Sequence, residues 1–119
     1  MSPQFDLAAL VRKQLSREEI GHSVAYVADA PLPAGKHLDF PKTALDLPWK
    51  GFVIFVDRDP AANWTHSCRY LLIGAENGEV KSVEAQLPPF GRGGLRWHVL
   101  YQAPGVPDPL LAAPQQTPK

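Results

Sequence analysis

Residues 51–86 read GFVIFVDRDPAANWTHSCRYLLIGAENGEVKSVEAQ, and the order of signals in them decides the fold. The apolar run Phe52-Val53-Ile54-Phe55-Val56 enters Asp57-Arg58-Asp59-Pro60-Ala61-Ala62-Asn63 and leaves through Trp64-Thr65-His66-Ser67-Cys68-Arg69-Tyr70-Leu71-Leu72-Ile73. Runs of β-branched and aromatic residues bounded by Asp, Asn and Pro are strand signals. Side chains alternate along a strand, so Trp64, His66, Cys68, Tyr70 and Leu72 share one face, with Thr65, Ser67, Arg69, Leu71 and Ile73 on the other. Beyond Ile73, Asn77-Gly78 separates two β-rich runs, and this pair tolerates the positive φ of a tight hairpin turn.

Working outward, further strands are expected over residues 23–28 and 95–102, besides 51–57, 65–73 and 79–86. Residues 31–49 carry Pro31, Pro33, Pro41 and Pro48, which predicts a long ordered loop covering one edge of the sheet. At the N-terminus Leu7, Leu10, Val11 and Leu15 recur at helical spacing, with Asp6 early and Arg12 and Lys13 late, as the helix dipole prefers. Ser16-Arg17-Glu18-Glu19 has the form of a capping box, predicting a bend at Ser16 and a second short helical turn. The entry Leu15 to Ile20 is similar to that of a helix-turn-helix, but Val24-Ala25-Tyr26-Val27 reads as a strand and no basic recognition helix follows. The fold class is therefore α+β: an N-terminal amphipathic helix packed on a curved antiparallel β-sheet of about four to five strands. A helix followed by a meander is similar, in topology alone, to small cystatin-like and propeptide-like modules. None of their motifs is matched residue by residue, so the resemblance implies no function.

A chain of 119 residues suits one domain. We expect residues 1–103 to form it and residues 104–119, with Pro104, Pro107, Pro109, Pro114 and Pro118, to be a flexible tail. The 12 basic and 12 acidic side chains cancel, leaving no positive field for a nucleic-acid backbone. A basic patch around Arg92, Arg96 and His98 is the exception to test. No apolar run approaches the roughly 20 residues of a membrane-spanning helix, and no signal peptide is readable. With a single cysteine, Cys68, no internal disulfide can form, so a soluble cytoplasmic protein is expected.

The chemistry concentrates in two side chains. His66 beside Cys68 is the pairing that activates a thiolate nucleophile, with Asp57, Asp59 or Asn63 to orient the imidazole. Against this, side chains at i and i+2 point in parallel, and free cysteine is among the most buried residue types. His66 and Cys68 with His98 or His22 are also weak zinc candidates, but a second thiolate is missing. The bland alternative for residues 57–63 is an ordered turn in which Asp and Asn side chains bond nearby amides. Two roles are open to Arg69: a place in a common cavity with Asp57, Asn63 and His66, or a pair with Asp57 or Asp59 across the hairpin.

Two functional readings follow. The favoured one is a non-catalytic binding or accessory module acting through a protein partner or as a homodimer, with Asn63, Trp64, His66, Arg69 and His98 as binding candidates. The alternative is a small enzyme or ligand-binding protein whose pocket is lined by Asp57, Asn63, His66, Cys68 and His98. No cofactor is implied.

Overall fold

The computed structural model describes residues 6–40, 42–60, 67–89 and 94–106. Two helices lead, α1 (Leu7–Gln14) and α2 (Arg17–His22). Seven strands follow: β1 (Val24–Ala28), β2 (His37–Phe40), β3 (Thr43–Asp46), β4 (Gly51–Asp57), β5 (Cys68–Gly74), β6 (Val80–Ala85) and β7 (Trp97–Gln102). The expected α+β class holds. Asp6 caps α1 by accepting from the Ala9 amide at 3.3 Å, and the chain leaves it at Leu15, whose extended backbone starts the bend. Ser16 then caps α2 through both bonds of the capping box, Glu19 N to Ser16 Oγ at 3.1 Å and Ser16 N to Glu19 Oε1 at 2.8 Å.

Five strands form one antiparallel sheet in the order β6-β5-β4-β1-β7. Only β4, β5 and β6 make a meander; β1 lies between β4 and β7, so the last strand closes the far edge beside the first. The alternation read for β5 is observed: Cys68, Tyr70 and Leu72 join the core on one face, while Leu71 and Ile73 join the core on the other. Val11, Leu15 and Ile20 from the helical segment pack with Ala25, Val27, Ile54 and Val56 on that second face.

The region expected to be a loop over an edge instead contains the two-stranded sheet β2–β3, and it lies over a face. Leu38, Phe40, Leu45 and Leu47 are buried there against Tyr26, Phe55 and Tyr70, with Phe40 stacked on Tyr70 at a ring-centroid distance of 5.2 Å. Each such burial stabilises by about 1.5–3 kcal/mol. The prolines argued against strands, but Pro33 and Pro48 flank β2 and β3 without interrupting them. The deciding pattern was period two: buried Leu38 and Phe40 alternate with exposed His37 and Asp39. The protein is thus helices, sheet and hairpin in three layers.

The β5–β6 hairpin forms with Ile73 opposite Val80. Residues 75–79 connect the strands, closed by Gly74 N bonding Glu79 O at 2.8 Å and Gly78 N bonding Gly74 O at 3.0 Å. Gly78 alone takes the positive φ, at 71°, while the Asn77 side chain accepts from Glu79 N at 2.9 Å. Among the described residues no helix is long and apolar enough to cross a membrane.

Candidate binding site

The capping box that starts α2 also aims Glu19 at the sheet, where its side chain is buried. Arg58 follows the last residue of β4, and Arg69 is the second residue of β5, on the helical face. The antiparallel register sets Arg69 opposite Glu84 and Leu71 opposite Ser82, so these polar side chains of β6 reach the same face. Glu19 Oε2 accepts from Arg58 Nε at 2.8 Å and Arg69 Nε at 3.0 Å, and Oε1 accepts from Arg69 Nη2 at 2.7 Å. Arg58 grips Glu84 with two parallel bonds of 2.8 and 2.9 Å and also donates to Ser67 Oγ. Arg69 donates to Ser82 Oγ at 3.0 Å and to the Gln14 carbonyl at 2.7 Å, which ties the end of α1 to β5.

These contacts set the charge states. Burial by itself raises the Glu19 pKa, but the bonds from Arg58, the Ser16 amide and Arg69 outweigh it and hold the carboxyl below the usual range. The hydrogen bonds from Arg58 lower the Glu84 carboxyl, and those to Glu84 raise the Arg58 guanidinium further. Glu19, Glu84 and Arg58 are thereby held ionised at neutral pH. Beside them opens a cleft of about 790 Å³, with Ser16, Glu18 and His22 on the helical side, Asp59 and Ser67 on the sheet side, and Ser23 at its base.

Cys68 lies elsewhere. It is fully buried on the hairpin face, with Sγ 3.8 Å from the Leu87 carbonyl. Burial, followed by the neighbouring Asp57 carboxylate, pushes its thiol up to about 12. Asp57 is its cross-strand neighbour and is also buried. Asp57 Oδ1 accepts from the Asp59 amide at 3.1 Å, the turn bond expected of the bland reading. His98 is on the edge strand, opposite Val27 and therefore on the helical face, with β4 and β1 intervening before β5. Its Nδ1 meets Asp29 Oδ1 at 2.8 Å, so the acid missing from the local sequence arrives from the end of β1. His22 Nδ1 rests against the Glu18 carbonyl at 3.0 Å. Asn63, Trp64, His66 and Arg92 lie outside the described residues. Among the described residues no cluster of three or more His, Cys, Asp and Glu side chains could hold a metal ion.

Of the expected binding residues, Arg69 does line the cleft, but it pairs with Glu19 and not with Asp57 or Asp59. The sequence reading missed Glu19, Arg58 and Glu84 as a unit. Glu19 had been fully accounted for by its local cap, and its partners are 39 and 50 residues away. The only available signal was charge beside apolar strands: Arg58 directly after β4 and Arg69 inside β5. No protein-family model, curated protein or solved structure matches the chain.

Proposed function

We propose that the protein is a small non-catalytic binding module acting through a protein partner or by self-association. The observation that carries this reading is the open cleft walled by an ion-pair network. Arg58 pairs with Glu19 and Glu84, and Arg69 pairs with Glu19, which makes a fixed recognition surface, and the lowered Glu19 and Glu84 carboxyls are not poised for proton transfer near neutral pH. The only thiol, raised and sealed in the core, is no nucleophile in this state.

Balanced net charge supports a protein partner over nucleic acid. The edge strand β6 carries exposed Lys81 and Glu84, which oppose edge-to-edge pairing, so a different protein is favoured over a second copy. A single cysteine with nothing to pair with supports a reducing cytoplasmic setting.

The test joins sedimentation across concentration with affinity capture from an extract of the cells that make the protein. A defined partner retained by the wild type and lost with the double variant Glu18→Lys/Asp59→Lys is expected. A persistent monomer that captures nothing specific would sink the reading.

A further inference from the structure

Asn77 is an exposed carboxamide followed by a glycine, and that order carries chemistry of its own. The main-chain nitrogen after an asparagine attacks the side-chain carbonyl carbon, and Gly78 has no Cβ to obstruct the approach. The chain has one other asparagine, Asn63, and there the bulky Trp64 follows. In the β5–β6 connection both reacting groups are occupied. Gly78 N, the nucleophile, donates to the Gly74 carbonyl at 3.0 Å, and Asn77 Oδ1, on the carbon under attack, accepts from Glu79 N at 2.9 Å. The carboxamide lies over Gly74, in the space that a Cβ at residue 74 would need. Gly74 has no positive φ, so close approach and not backbone conformation calls for glycine there. To react, Gly78 N must shed its proton and the carboxamide must turn its carbon onto that nitrogen, and the two bonds oppose both steps.

We propose that Asn77-Gly78 is a site of spontaneous one-way modification, gated by the closed connection between β5 and β6. When the connection opens, Gly78 N bonds to Asn77 Cγ, and Nδ2 leaves as ammonia with the proton that Gly78 gives up, so a cyclic imide forms. Water then breaks one of two bonds. Cleavage of the new bond to Cγ leaves aspartate at residue 77, whereas cleavage of the original peptide bond leaves isoaspartate, with the main chain running through Cγ. Either product sets a new carboxylate beside exposed Glu76 and Glu79. Aspartate keeps an oxygen for Glu79 N, but isoaspartate lengthens the main chain inside a connection whose closing bonds join Gly74 to Gly78 and Glu79. The closed form is then not regained, and edge strand β6 loses its anchored start.

The test follows conversion of the carboxamide to a carboxyl by peptide mass spectrometry, in protein held at mildly alkaline pH either folded or unfolded in guanidinium chloride. Conversion is expected at Asn77 ahead of Asn63, to both aspartate and isoaspartate, and about thirtyfold slower in the folded protein, as two neutral hydrogen bonds imply. Because the chemistry is slow beside opening and closing, the folded rate tracks the open population. Gly74→Ala puts a Cβ into the carboxamide, and Val80→Ala strips the cross-strand partner of Ile73 next to the connection. Each should raise the folded rate about three- to tenfold and leave the unfolded rate unchanged. The second variant decides the matter should the first fail to fold. A folded rate equal to or above the unfolded one, no acceleration in a folded variant, or no conversion of Asn77 even after unfolding would overturn the proposal.

Discussion

Glu19 serves two levels of structure with one carboxylate. Oε1 closes the α2 capping box while both oxygens take guanidinium bonds from β5 and the end of β4. Replacing it with Gln removes the charge that two partly buried arginines share, so Glu19→Gln should destabilise the protein by about 2–4 kcal/mol in urea unfolding at neutral pH. Its folded pKa is depressed, so its contribution is fully present above the unfolded glutamate value of about 4.3 and is lost as pH falls through the lower folded value. The stability of the wild type should therefore drop on that acid limb, and the drop should be shallower in Glu19→Gln; parallel limbs would refute the linkage. Cys68 makes the opposite case. With its thiol raised to about 12 and fully buried, alkylation should be slow in native buffer and fast after unfolding. Rapid native labelling that His66→Ala suppresses would restore the nucleophile reading.

At the scale of elements, signals confined to a few neighbouring residues translated directly into structure. Ser16 and Glu19 formed the capping box, Gly51 to Asp57 formed β4, and Gly78 supplied the positive φ between β5 and β6. A β-branched residue resists that conformation by about 1–2 kcal/mol, so Gly78→Val should lower the denaturation midpoint accordingly. An unchanged midpoint would mean that the connection can rearrange without this residue. Element β2–β3 was harder to see, because each strand has only four residues and proline stands on either side. Their three buried apolar side chains, Leu38, Phe40 and Leu45, need the face of the main sheet before their alternation has any consequence. Gly51 shows the same dependence: a Cβ there would meet the Trp49 ring at 3.0 Å and, closer still, the Ile73 carbonyl at 2.6 Å, which only the pairing of β4 with β5 brings there.

For the whole molecule, helices and hairpin sandwich a five-stranded sheet, and the described chain ends by folding Val106 back onto the hairpin-face core. Composition leads to the prediction that deleting residues 107–119 while keeping Val106 shifts the melting temperature by no more than a few degrees; a large drop would refute it. By itself the amino-acid sequence determined what periodicity and turn chemistry encode: an amphipathic N-terminal helix, a capping box, most of the strands, the face each residue of β5 takes and the absence of net charge. Tertiary structure decided the position of β1 between β4 and β7, the placing of β2–β3 over a face, the separation of His98 from Cys68, and the meeting of Glu19 with Arg58, Arg69 and Glu84. The physical reason is range. Helix caps, turns and strand alternation are fixed by bonds and sterics across a few residues, whereas strand order and charge pairing are chosen by which buried surfaces and ionised groups satisfy one another across 39 or 50 residues of chain.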